Sequence, residues 1–152
     1  YLCPRLNCLR KGLQAKGVAR ALGCAPPPGT AEEMRAKALE GLARLLNEQL
    51  GHAHRSGAVV WGSDRVAEAL AEGRADWVLV AADTSRRTIM DMSSRAGEER
   101  IFRAPEKAEL GRILGPAEVG VATVTHPRMT EKIQALAVRW NRLREENGDG
   151  QG

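Results

Sequence analysis

The sequence predicts an α/β protein, a three-layer alpha-beta-alpha sandwich built on a small mixed sheet, and three observations carry that prediction. From Ala58 to Val124 short apolar runs alternate with amphipathic segments, glycine, proline and capping residues punctuate the junctions, and the run Trp77, Val78, Leu79, Val80 is apolar at consecutive positions. Repeated alternation of strands and helices covers both faces of a sheet with helices, and a strand without polar alternation belongs at the sheet's centre. With 152 residues and 43% hydrophobic content the chain can bury one principal core, not two enzyme domains.

The elements follow in order. Leu6 to Leu22 reads as a helix despite Gly12 and Gly17, each of which costs about 1 kcal/mol against alanine and so requires a packing neighbour. Cys24 to Thr30, "CAPPPGT", is a stiff linker because consecutive prolines lack amide donors. It predicts a boundary between a segment 1–24 and a principal domain 31–147, with 25–30 as linker and a disordered tail at 148–152. Thr30 and Glu33 have the spacing of a capping box, and Met34, Leu39, Leu42, Leu46 and Leu50 then mark one face of a helix. A strand is expected over Ala58 to Trp61, a helix over Ser63 to Glu72 ended by Gly73, and a strand over Trp77 to Ala82. Asp83 or Thr84 is the expected cap of the next helix, which runs to about Arg95; "RIFRA" is a short strand, and Pro105 sets the first turn of a short helix reaching Leu114. Val119 to Val124 is the last strand, and Met129, Ile133, Leu136, Trp140 and Leu143 form the apolar face of a long final helix opened by Pro127.

Charge narrows the function classes. The formal net charge is +4, and Arg5, Arg10, Lys11, Lys16 and Arg20 stand in the first 24 residues without an acidic neighbour, so the basic excess is concentrated there. If all five neutralised phosphates, raising salt from about 50 to about 200 mM would weaken duplex binding by roughly a few hundred-fold. No run of about 18 apolar residues exists, so no membrane association is expected. The opening residue, Tyr1, predicts a fragment whose N-terminus lies upstream. Three cysteines are too few for a disulfide framework and point to a reducing compartment. Cys3 and Cys8 are either half of a structural zinc site or ordinary turn and packing residues; His52, His54 and His126 do not complete a metal centre.

Catalytic chemistry finds little support. A dinucleotide-binding crossover needs a glycine-rich turn after its first strand, but here only Gly62 follows, with Asp64 placed to repel phosphate. Asp83 and Ser85 at a strand end are the residue types that cap helices, and no nucleophile, base and orienting group share a pattern. The expectation is no enzyme, no cofactor and no small-molecule substrate. Trp61, Trp77, Trp140, Tyr1 and Phe102 are the only aromatic residues and mostly read as core, which disfavours a stacking platform for single strands and favours recognition of folded nucleic acid by shape.

The stretch "LGHAHRSGAVVWGSDRVAEALAEGRADWVLVAADTS", continued by "RIFRAPEKAELGRILG" and "VGVATVTHP", resembles the YlxQ-type members of the superfamily of kink-turn-binding ribosomal proteins, over roughly Leu46 to Leu143. That resemblance implies an alpha-beta-alpha sandwich that binds structured RNA and has no catalytic activity. Upstream, "YLCPRLNCLRKGLQAKGVARAL" is similar to the C-terminal half of the YlxR family, which implies a bacterial, cytoplasmic fusion of the two modules. In some YlxR members a second cysteine pair lies upstream and would complete four zinc ligands with Cys3 and Cys8. Kink-turn binders carry Gly-x-Asn-Glu-x-x-Lys where this chain has Gly62, Asp64, Arg65 and Glu68. The exchanged charges leave structured RNA, rather than the kink-turn itself, as the expectation carried over. The candidate RNA-binding residues are therefore Arg5, Arg10, Lys11, Lys16 and Arg20, with Gly62, Ser63 and Arg65 and, at the next strand-to-helix turn, Arg86 and Arg87. The other reading of these residues is a solvated charged surface. By resemblance the partners are ribosomal RNA or the RNA of ribonuclease P, with ribosome or ribonuclease P components. The rival is a protein-interaction adaptor or regulator of the transcription and translation machinery.

Overall fold

The computed structural model describes residues 7, 8, 10, 11 and 30–145. Residues 7, 8, 10 and 11 are helical, while the rest of the expected N-terminal helix, the proline linker, the tail, Cys3, Arg5, Lys16 and Arg20 lie outside the described residues.

Thr30 starts the first long helix, α1 (Ala31–Arg55), through the expected reciprocal capping box: its hydroxyl accepts from the Glu33 amide, and the Glu33 carboxylate accepts from the Thr30 amide. Strand β1 (Val59–Trp61), helix α2 (Ser63–Ala71), strand β2 (Val78–Ala81), helix α3 (Arg86–Ala96), a single 3-10 turn (Glu98–Arg100) and strand β3 (Ile101–Ala104) follow. Helix α4 (Lys107–Leu114), strand β4 (Val121–Val124) and helix α5 (Pro127–Glu145) complete the order. The strand order is β1-β4-β2-β3, with β4 antiparallel to both β1 and β2 and β3 parallel to β2. The sheet is mixed, as expected, and β2 is central and buried along its whole length.

Period-two alternation sorts the strands between two cores. Leu79, Ala81, Ala122 and Val124 face α1, α4 and α5 and pack with Leu46, Leu50, Leu110, Ile133 and Ala137. Val78, Val80 and Val121 face α2 and α3 and meet Val66 and Met92. Three helices on one face and two on the other make the sandwich. Residue Arg35, on the long α1, is buried and donates to the Leu143 carbonyl of α5, tying the two longest helices together beyond the sheet.

Two helix starts differ from the sequence expectation. Ser85, not Asp83 or Thr84, caps α3, its hydroxyl accepting from the Thr88 amide at 3.3 Å. Asp83 instead accepts from the Lys107 amide at 2.8 Å, and the Thr84 hydroxyl donates to the Gly120 carbonyl at 3.0 Å. Both side chains are diverted to tertiary partners. Pro105 precedes the N-cap of α4, Glu106, rather than occupying the first turn; the Glu106 side chain makes no capping bond, and Asp83 takes over that task from another loop.

Strand β3 lies at the sheet's edge, where unpaired backbone groups invite pairing with another chain. Asn141 of α5 covers it: its Oδ1 accepts from the Arg103 amide and its Nδ2 donates to the Arg103 carbonyl, both at 2.8 Å. The same Nδ2 donates to Ala137 O at 2.7 Å. Asn141→Ala is expected to lower the urea midpoint by the equivalent of about 2 kcal/mol, because two backbone groups are left without a partner, and to promote self-association measurable by light scattering. An unchanged midpoint would show that the carboxamide contributes nothing to the edge.

Candidate functional site

Because β4 is antiparallel to both β1 and β2 while β3 is parallel to β2, strands β1, β2 and β3 all point the same way. Their carboxyl ends therefore open on one edge of the sandwich, together with the start of β4. In open α/β sheets this is the edge where ligands bind, since the loops there are set by the rigid strands beneath them.

The loops at this edge are stitched to one another and to the strand ends by backbone hydrogen bonds. The Gly62 amide donates to Val121 O, the Ala81 amide to Gly120 O, both at 2.9 Å, and the Val119 amide to Lys107 O at 3.0 Å. With the Thr84 and Asp83 bonds, four loops form one platform. Between them lies a cleft of about 320 Å³ lined by Gly62, Ser63, Thr84, Ser85, Lys107 and Gly120, among others. Gly62 is the N-cap of α2 and has φ +96°, a left-handed conformation that a side chain disfavours, and nothing stands within 4 Å of where a Cβ would be. The glycine is therefore required by the turn rather than by crowding, and no side chain caps the first amides of α2. These amides and the helix dipole favour a negative group.

The sequence-predicted residues fall into two sets. Gly62, Ser63, Arg65, Arg86 and Arg87 come together on this edge, the two first-named lining the cleft and the three arginines exposed around it. The Arg65 guanidinium lies 5.5 Å from the centroid of the Trp61 ring. Of the N-terminal set, Arg10 and Lys11 are exposed, and Arg10 pairs with Glu32 in the first turn of α1. That hydrogen bond holds the Glu32 carboxyl below its usual range. Sequence reading gave Thr84 only a capping role and did not single out Lys107 and Gly120, which reach the cleft only through tertiary folding. Among the described residues no group of three or more His, Cys, Asp or Glu side chains is placed to hold a metal ion, and no helix is long and apolar enough to cross a membrane.

Charge at the two ends of the strands differs in kind. Arg74 with Glu72 and Arg100 with Asp76 form ion pairs near the amino ends of β2 and β3, the latter at 2.9 Å. At the carboxyl edge, Arg65, Arg86, Arg87, Arg103 and Lys107 form no ion pair with a described carboxylate. The cations of that edge are left available to an outside anion.

Residues 44–134 match the ribosomal protein L7Ae/L30e/S12e/Gadd45 family. No curated protein matches the chain significantly. Among solved structures, a protein of unknown function from Bacillus halodurans C is similar at a TM-score of 0.57 and 23% identity, over 61% of this chain and 96% of that one. A Giardia lamblia 15.5kD RNA binding protein is similar at a TM-score of 0.53 and 22% identity, over 70% of this chain and 90% of that one. At these identities the likeness concerns the fold.

Proposed function

The chain belongs to the ribosomal protein L7Ae/L30e/S12e/Gadd45 family, and from that premise we propose that it is a non-enzymatic RNA-binding protein that holds structured RNA on the carboxyl edge of its sheet. The observation that carries the reading is the edge itself: the open start of α2 at Gly62, the cleft beside it, and a surround of arginines without carboxylate partners. Anionic, hydrogen-bond-accepting phosphate matches all three. A solved relative of the same fold is named as an RNA binding protein, which supports the ligand class. Arg65, Arg86 and Arg87 neutralise backbone phosphates, while Gly62 and Ser63 allow the RNA to approach the α2 amides. Glu68, where kink-turn binders have lysine, lies one turn further into α2 than its open first amides and removes one cationic contact there, which leaves α3 a larger share of the binding. The segment 1–24 is read as the end of a YlxR-like module whose basic residues add affinity without sequence preference, in a bacterial, cytoplasmic protein. Ribosomal RNA or the RNA of ribonuclease P is the target class this association favours.

The test is fluorescence anisotropy with a labelled stem-loop RNA interrupted by an asymmetric internal loop. Arg86→Glu with Arg87→Glu is expected to lower the slope of log affinity against log salt by about two, one for each phosphate that is no longer neutralised. An unchanged affinity and slope in that variant would overturn the assignment of RNA to this edge.

A further inference from the structure

Two of the three tryptophans are followed four residues later by an arginine, in Trp61 to Arg65 and in Trp140 to Arg144. In both, the guanidinium is seated over the indole: 5.5 Å from the ring centroid for Arg65 and 4.5 Å for Arg144. Neither forms an ion pair with a described carboxylate. An arginine that lies on an aromatic face is held in position by its own plane, and its in-plane N–H donors remain free for a bidentate acceptor such as phosphate.

The two stacked arginines stand at opposite ends of one edge. Arg65 follows β1 and Arg144 lies beside β3, the two outer strands of the sheet. Arg144 lines a hollow of about 330 Å³ with Ala82, Arg103, Asn141 and Glu145. Arg103 and Ala82 also line the adjoining groove with Thr84 and Arg86, and Thr84 in turn lines the cleft at Gly62 and Ser63. Three depressions thus share walls and form one track from the Gly62 cleft, whose lining includes the Trp61 ring that carries Arg65, across Arg86 and Arg103 to Arg144. The exposed acids along it are Asp64 and Glu68 on α2 with Arg65, Glu118 in the cleft, Glu98 in the groove and Glu145 at the far end. Three interstrand steps separate β1 from β3, roughly 14 Å between strand axes. One phosphate cannot bridge the two arginines, so they engage separate points of an RNA backbone.

We propose that Arg144, held on Trp140, is a second phosphate-binding point of the interface, the counterpart at the β3 side of Arg65 on Trp61, with Arg86 and Arg103 guiding the RNA backbone between them. This rests on the reading of the carboxyl edge as an RNA surface and extends it to the last turn of α5, a helix that contributes nothing to the cleft at Gly62.

The experiment compares the full chain with Arg144→Gln, Arg144→Lys and a control, Arg128→Gln, whose arginine is exposed at the other end of α5. The probe is the same labelled stem-loop RNA, titrated by anisotropy at two salt concentrations. For Arg144→Gln, the fall in affinity between about 50 and about 200 mM salt is expected to shrink by about three-fold relative to the unaltered chain, as when one phosphate-binding cation is removed. Arg144→Lys should keep the salt dependence and bind more weakly, because an ammonium lacks the planar fork. If Arg144→Gln behaves like Arg128→Gln while the Arg86 and Arg87 double variant still loses binding, the second phosphate-binding point is overturned and the cleft reading stands. If the unaltered chain itself shows no salt-dependent binding, the RNA reading fails and this inference with it. Arg144 is exposed, so circular dichroism melting should be unchanged in both of its variants.

Discussion

Trp77→Ala is expected to destabilise the protein by about 4 kcal/mol and to lower the melting temperature by about 15 °C. Trp77 is completely buried, at the entry to β2, and meets Phe102 of the neighbouring strand edge-on with ring centroids 6.0 Å apart. It belongs to the core beneath α1, α4 and α5. Its backbone carbonyl also accepts from the buried Thr123 hydroxyl at 2.6 Å, so the same residue anchors the centre of the sheet to β4. Removing the indole leaves a cavity among side chains already fixed on three sides, and little collapse is available to fill it. Trp77→Phe is the discriminating partner. The indole N–H is buried without a hydrogen-bond partner among the described residues, so phenylalanine discards a poorly satisfied donor while keeping most of the apolar area. Its cost should be about 1 kcal/mol. Thermal melts that place both variants together would show that a phenyl ring does not substitute for the indole at this position.

Gly111→Ala is the second large expected effect, a destabilisation of about 3 kcal/mol from overpacking. Gly111 is buried in α4, and an added Cβ would stand 2.5 Å from the carbonyl oxygens of both Pro116 and Ala117. Those are backbone atoms, which cannot rotate away as a flexible side chain would. Helix α4 ends at Gly115, whose φ of +103° turns the chain back across the helix, and that return path is what occupies the space above Gly111. The loop so displaced carries Val119 and Gly120, which hold the cleft to α4 and β2. The substitution should therefore weaken RNA binding as well as stability. Urea denaturation and anisotropy on the same variant check both; a stable variant with unaltered binding would show that the loop yields without cost.

The extent to which the sequence discloses this protein depends on how local each signal is. The capping box at Thr30 and Glu33, the consecutive apolar residues of β2, and the apolar stripe of α5 depend on neighbours a few residues away, and all three are found in the structure. The cap of α3 is displaced because Asp83 and Thr84 are used by Lys107 and Gly120, residues more than twenty positions distant. Arg35 lies beside Met34 on the expected apolar face, yet its burial becomes intelligible only when the Leu143 carbonyl is brought to it. The same distinction governs the site. Gly62, Ser63, Arg65, Arg86 and Arg87 are legible as two strand-to-helix turns, and a sandwich fold is enough to unite them. Arg103 and Arg144 are ordinary charges in the sequence, because the strand order that aligns them with the cleft is not written in any local spacing. Coverage of the β3 edge by Asn141 is hidden for the same reason.

The strand order has a further consequence, for how the chain reaches this state. Among the described strands β4 is the last to be made, yet it is inserted between β1 and β2, and β1 pairs there with no other strand. A nascent chain that has emerged only as far as α4 can pair β2 with β3 but leaves β1 unsupported. The central sheet closes when residues 121–124 arrive, so commitment to the native topology waits for contacts between distant parts of the chain, which are the slow ones to form. Until then the β2 edge that β4 will occupy is open to wrong partners, and the interval between synthesis of β2 and of β4 is when this protein most needs protection from aggregation.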